Sequence, residues 1–198
     1  MSNSIKCFIY FCAPEITNLK IKSMNNKTLN PRLIFIIAVI LIAAILRLII
    51  NIPNFTPIAA MALFGGVFFK KRYLGYLIPL ATLFITDLII GFHSTVIYVY
   101  AAFAITVSIG FLIRNKLNVF SVVGASLASS ILFFLITNFG AWASGMVGYP
   151  MVFAGLIESY VAGIPFFRTE VLGSLVFNGV FFGSFYFAQQ RFPVLAKA

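Results

Sequence analysis

The side chains that could do chemistry in this chain are few, and most of them lie at the same ends of its apolar segments. Arg47 ends the first segment, Asp87 ends the third, and His93 lies in the turn that follows. A few hydrogen-bonding groups set in an apolar and aromatic surface are what a pocket for a small polar molecule requires. The sequence therefore predicts a substrate-binding site, with candidate residues Arg47, Asn54, Asp87, His93, Asn138, Trp142, Glu158, Arg168 and Glu170.

Each candidate also has a simpler explanation. The long side chain of Arg47 can reach the membrane interface without binding anything, and Asp87 can pair with Arg47 or Arg168 for structural reasons. Trp142 fits an interfacial aromatic belt, and His93 in its turn fits a solvent-facing side chain. The shared location of these residues, rather than any one of them, favours a binding site.

Patterns that mark catalysis are absent from the sequence. The chain has a single histidine and contains no HExxH, Gly-x-Ser-x-Gly or paired acidic motif. The segment Gly124-Ala-Ser126 lies in the opposite half of the predicted bundle from His93, which disfavours a Ser-His enzyme. No GxxxxGK[ST] phosphate loop occurs, so ATP hydrolysis by that route is expected on separate subunits. Cys7 and Cys12 have no further metal ligands nearby in the sequence, so we expect no metal site. Because catalytic motifs are also absent, we expect neither enzyme activity nor a cofactor.

The elements that must position the candidate residues are membrane helices. Of the 198 residues, 62% are hydrophobic, 9% are charged and 24 are Phe, and the mean hydropathy is +1.06. The apolar runs are long and continuous, which favours helices over barrel strands. The run at 56–69 is short, so we expect it to enter through a loop that folds into the bundle. The six runs are 33–50, 56–69, 73–90, 95–113, 119–137 and 170–188.

The basic residues lie on alternate sides of these runs. Short basic loops stay in the cytoplasm, so the pattern predicts six transmembrane helices with both termini inside, in the inner (cytoplasmic) membrane of the cell. The net charge of +10 then serves orientation and contact with anionic lipid, not nucleic acid. Only Arg47 and Arg168 depart from the pattern. The predicted cytoplasmic groups are Lys20, Lys22, Lys27 and Arg32; Lys70, Lys71 and Arg72; Arg114 and Lys116; Arg191 and Lys197.

The longest connection is predicted at 139–168, where Gly and Pro residues surround a possible short helix at 151–163. A seventh span there would bury Glu158 and move the C-terminal cations outside, so we expect this helix to lie on the outer surface. The chain then divides into a cytoplasmic N-terminal segment (1–30), a six-helix membrane domain (31–191) and a cytoplasmic tail (192–198). Met24 begins an ordinary basic leader for the first span. Two interpretations of residues 1–23 therefore stay open: translation starts at Met24, or these residues form a poorly ordered tail.

Small residues four apart allow membrane helices to approach closely. Such pairs occur at Ala62/Gly66, Gly124/Ala128 and Gly179/Gly183. Two uses remain open for each pair: packing within this bundle, or docking on another membrane subunit.

Several segments resemble one family of membrane proteins. The segment 54–69, the Ile78-Pro79 step and the run 86–91 resemble the second and third helices of the substrate-capture (S) components of energy-coupling-factor vitamin importers. An uncharacterised branch assigned to that group also has segments similar to 137–142 and 163–168. The resemblance covers about residues 32–191.

This resemblance implies a six-helix protein that captures a vitamin or vitamin precursor from outside. The partners that it implies are a transmembrane coupling subunit and two cytoplasmic ATPases. The best-known members dock through an Ala-x-x-x-Ala pattern on the first helix, which Ala38, Ala43 and Ala44 do not provide here. Ligand loops differ between substrates in this family, so the resemblance does not identify the substrate.

The main alternative is a structural membrane subunit of a cell-envelope assembly complex, similar in size to the small scaffold proteins of cell-wall elongation. Such a protein would use small-residue faces but needs no outward polar pocket. An enzyme acting on lipid would need acid-base pairs, which the sequence lacks.

Overall fold

The computed structural model describes residues 31–50, 52–145 and 147–195, and this part of the chain is all-helical, as predicted. The predicted segment 1–30, with Met24, Cys7 and Cys12, lies outside the described residues, as do residues 196–198 of the tail. The helices are α1 (Pro31–Ile49), α2 (Ile58–Phe68), α3 (Arg72–Ile90), α4 (Val96–Ile113), α5 (Val119–Ala143) and α6 (Phe153–Arg191), with 3₁₀ turns at Arg114–Lys116 and Pro193–Leu195.

Five of these helices, all except α2, are long and apolar enough to cross a membrane. The second helix has only 11 residues. At about 1.5 Å per residue it extends about 17 Å, roughly half the thickness of the hydrocarbon core. The described chain is therefore a multi-pass membrane bundle with a short second helix, as the short run at 56–69 indicated.

The short helix α2 forms the centre of the bundle. All of its residues are buried, and it packs against each of the other five helices. This placement follows from its sequence, because a helix that is apolar all round has no face for solvent. Phe64 and Phe68 pack on the ring of Phe185 in α6, with centroid distances of 5.9 and 4.2 Å. On α4, a Cβ atom at Gly110 would lie 2.6 Å from the Leu63 carbonyl oxygen, so this helix crossing requires glycine.

The carbonyl groups at the end of α2 are satisfied by Arg114, which follows α4. Its Nε donates to the Val67 oxygen at 2.9 Å, and its Nη2 donates to the Gly66 oxygen at 3.0 Å and to the Phe69 oxygen. Cations stabilise helix C-termini, where backbone oxygens lack partners within the helix. Arg114, predicted only as a topological anchor, thus also caps a buried helix.

The prediction of a separate short outer helix is wrong. Instead of a long connection at 139–168, α5 continues to Ala143 and α6 runs unbroken from Phe153 to Arg191, over 39 residues. The connection is reduced to residues 144–152. Pro165 lies inside α6 and removes one backbone donor without ending the helix, which packed membrane helices tolerate.

Contacts with α5 hold the first turns of α6 in place. The Ser159 hydroxyl donates to the Asn138 carbonyl oxygen at 3.2 Å, and the Tyr160 hydroxyl donates to the Leu135 carbonyl oxygen at 2.9 Å. The α5–α6 hairpin therefore extends past the predicted helix ends, and its inner surface forms much of the candidate site.

Candidate functional site

A cavity of about 230 Å³ lies at the end of the bundle where the predicted site residues gather. Four of those residues line it: Asn54 from the α1–α2 loop, His93 from the α3–α4 loop, Asn138 from α5 and Glu170 from α6. The other lining residues, which the sequence reasoning missed, are Thr95, Val99, Phe133, Phe134, Thr137, Gly163, Phe166 and Phe167.

Helical spacing explains why these residues meet. On α6, three lining residues follow Gly163 at helical spacing: Phe166, Phe167 and Glu170 lie three, four and seven residues after it. All four therefore share one face of a continuous helix. The same signal was present in the sequence. It was missed because Gly163 and Glu170 were assigned to different helices.

Glu170 is the most unusual residue in the cavity wall. Its side chain is only 6% exposed. Ser130 contacts the carboxyl group, yet the oxygen Oε2 has no hydrogen-bond partner among the described residues. A buried carboxyl oxygen without a partner is energetically costly, and the nearby Ser130 hydroxyl, whose oxygen also has no partner among the described residues, or a molecule bound beside Glu170 can supply the donor.

Asn138 and Thr137 extend the polar part of the wall along α5. The Asn138 amide nitrogen donates to the Phe134 carbonyl oxygen, and the Thr137 hydroxyl donates to the Phe133 carbonyl oxygen, each at 2.8 Å. Gly163 of α6 lies against the Asn138 amide, and a Cβ atom there would clash with it. Each side chain donates one hydrogen to a carbonyl oxygen of its own helix and keeps an oxygen that can accept a further hydrogen bond.

Arg47 and Asp87 do not line the cavity. Arg47 Nη2 lies 2.5 Å from Asp87 Oδ1, and the two side chains are 12% and 1% exposed. Arg47 also donates to the Thr86 hydroxyl and, at 3.2 Å, to the Leu83 carbonyl oxygen. The Tyr100 hydroxyl donates to Asp87 Oδ2 at 2.8 Å. The structure thus supports the alternative in which Asp87 pairs with Arg47 for structural reasons.

Trp142, Glu158 and Arg168 also lie outside the cavity lining. The Trp142 indole nitrogen donates to the Pro150 carbonyl oxygen at 3.0 Å, and its ring packs on Phe139. Glu158 and Arg168 are exposed on α6. Within the described ranges no three His, Cys, Asp or Glu residues lie close enough together to hold a metal ion.

A second feature is a groove of about 570 Å³ between α5 and α6, toward the opposite end of the bundle. Asn178 lines it and is 1% exposed; its Nδ2 donates to the Ser126 hydroxyl at 2.9 Å, whereas its Oδ1 has no partner among the described residues. Cβ atoms placed on Gly179 and Gly183 would meet nothing within 4 Å. This pair therefore does not serve packing within the described bundle, in contrast to Gly66, which lies against α4.

The helices define a multi-pass membrane protein, and its bundle carries a half-open cavity lined by polar and aromatic side chains. Residues 27–195 match the family of unknown function DUF6580, and the chain belongs to that family. No curated protein and no solved structure matches the chain.

Proposed function

We propose that this protein is the membrane-embedded substrate-binding subunit of an ATP-driven importer for a small water-soluble vitamin or vitamin precursor. The observation that carries the proposal is the cavity at Glu170. It combines an unsatisfied buried carboxyl oxygen with aromatic walls, an arrangement that a purely structural subunit does not need. The predicted topology places this cavity at the outer end of the bundle, where a capture protein would meet its ligand.

Energy for import would come from other subunits, a transmembrane coupling subunit and two cytoplasmic ATPases, because the sequence contains no phosphate loop. The α5–α6 groove supports the idea of a membrane partner. Its open Gly179/Gly183 face admits the backbone of another helix.

Thermal stabilisation of the purified protein by a panel of vitamins and vitamin precursors tests the proposal. A ligand that binds only the folded state raises the unfolding temperature as its concentration exceeds Kd. We expect at least one compound to do so, and expect Asn138→Leu to abolish the effect. Glu158→Gln, which changes an exposed residue outside the cavity, should bind as the unaltered protein does.

Two results would contradict the proposal. One is that a folded protein responds to no compound in the panel. The other is copurification with cell-envelope assembly proteins but with no ATPase, which would favour the structural subunit.

A further inference from the structure

One carboxyl group lies in the cavity wall. Among the described residues that line the cavity, Glu170 and the exposed His93 are the only ionisable side chains. Arg47 is bound to Asp87 away from the cavity, and Arg168 is exposed and does not line it. Neither arginine of the predicted site is therefore part of the described cavity wall.

Three acceptors lie in the part of the wall formed by α5 and α6. Thr137 and Asn138 each donate a hydrogen to a carbonyl oxygen of α5, which leaves the oxygens of these side chains available as acceptors. Glu170 Oε2 is the third acceptor, without any partner among the described residues. A molecule that satisfies these three oxygens has to bring hydrogen-bond donors, while Asn54, His93 and Thr95 line the cavity from the loops with groups that can also donate.

The apolar part of the wall suits a flat cation. Phe133, Phe134, Phe166 and Phe167 line the cavity, and the rings of Phe134 and Phe167 lie 4.9 Å apart. Aromatic faces attract cations and stack on flat rings. At about 230 Å³ the cavity lies below the usual range of about 300 to 1,000 Å³ for ligand sites, which indicates a single ring with short substituents.

We infer that the cavity binds a small organic cation, an amine, amidinium or protonated heteroaromatic ring, with its N–H groups directed at Glu170 and its ring against the phenylalanine side chains of the wall. This inference rests on the proposed function, which requires a ligand in this cavity, and it names the chemical class of that ligand. It disfavours anionic substrates, because the described residues of the cavity wall include no guanidinium or ammonium group.

Three probes of nearly equal size and shape test the charge preference: benzamidine, which is cationic, benzamide, which is neutral, and benzoate, which is anionic. Their binding is measured by calorimetry and thermal stabilisation of the full chain in lipid nanodiscs. Hydrogen bonds to a charged group make a difference of about ten- to a hundredfold in affinity. We expect benzamidine to bind more tightly than the other two by at least the lower figure.

The Glu170→Gln variant keeps the shape of the side chain and removes its charge, so it should lose that preference for benzamidine. Glu158→Gln, on the same helix but exposed, is the matched control and should retain it. The preference among the probes is measured on the unaltered protein, so the test does not depend on whether Glu170→Gln folds.

Equal or tighter binding of benzoate would overturn the cation assignment and leave capture of some other ligand standing. A preference for benzamidine that survives in folded Glu170→Gln would overturn the role of Glu170. Failure of all three probes to bind would also overturn the inference, and the vitamin panel would then judge the proposed function independently.

Discussion

Asp87 shows how partners within the protein can hold a buried charge in a membrane bundle. Both of its oxygens are occupied, one by Arg47 and the other by the Tyr100 hydroxyl. Arg47 in turn donates to two groups of α3 besides Asp87. This network connects α1, α3 and α4, so its energy contributes to the arrangement of these helices.

Removing one member of this pair should destabilise the protein, because the other charge is then left buried without a partner. For Arg47→Met or Asp87→Leu we expect a loss of about 3 to 5 kcal/mol in the free energy of unfolding. The double variant Arg47→Met/Asp87→Leu should recover part of that loss, since no lone charge remains. Thermal or denaturant unfolding in detergent measures all three.

The matched control for these variants is Arg168→Met, which removes an exposed arginine and should have little effect on stability. If Arg47→Met were fully stable yet failed to bind the transported ligand, Arg47 would belong to the binding site after all, as the sequence first indicated.

At the scale of elements, α6 joins two segments, 151–163 and 170–188, that the sequence analysis had assigned to different helices. Its first half carries Gly163 and Glu170 at the cavity, and its second half carries Gly179 and Gly183 at the open groove. Pro165 follows the helix predicted at 151–163 and does not interrupt α6. Sequence pattern alone could not decide this, because whether a proline interrupts a membrane helix depends on the neighbours that satisfy the freed carbonyl group.

The glycines of the bundle should respond to alanine in opposite ways. Gly179→Ala and Gly183→Ala place a methyl group in open space, so each should leave the isolated protein unchanged or stabilise it by about 0.5 to 1 kcal/mol. Gly110→Ala should destabilise the protein, because its methyl group would press against the Leu63 carbonyl oxygen of α2. Unfolding in detergent distinguishes these cases.

In cells, a larger side chain at Gly179 or Gly183 should be unfavourable if a partner helix occupies the groove. Gly183→Leu should then reduce copurification of membrane partners while leaving binding of small molecules at the distant cavity intact. Unchanged copurification with Gly183→Leu would show that the partner contacts another face.

For the whole molecule, the apolar runs predicted an all-helical membrane protein, and this class is confirmed. Four of the predicted site residues, Asn54, His93, Asn138 and Glu170, lie around one cavity. The pairing of Arg47 with Asp87 was an alternative that the sequence could not decide, because pairing depends on how α1 and α3 face each other. The aromatic walls were hidden among the 24 phenylalanines of the chain.

The orientation of the bundle remains a prediction from the basic residues. Cysteines introduced at Phe92 or Gly148 should react with an impermeant maleimide on intact cells, since these positions are exposed in connections predicted to lie outside. A cysteine at Lys71, also exposed, should react only after the membrane is opened. Labelling of Lys71→Cys on intact cells would invert the bundle and place the cavity on the cytoplasmic side.

The burial of α2 has a consequence for how the chain is made. Ribosomes deliver α2 to the membrane before α3, α4, α5 and α6, the helices that cover most of its surface, have been synthesised. With 11 residues, α2 is too short to span the bilayer by itself. We therefore expect it to stay at the membrane interface or within the insertion machinery until the helices that pack on it have been inserted. We therefore expect the bundle to be completed only after the ribosome has released α6. A shortened product that lacks α6 should leave part of the apolar surface of α2 uncovered, and cellular quality control should recognise it.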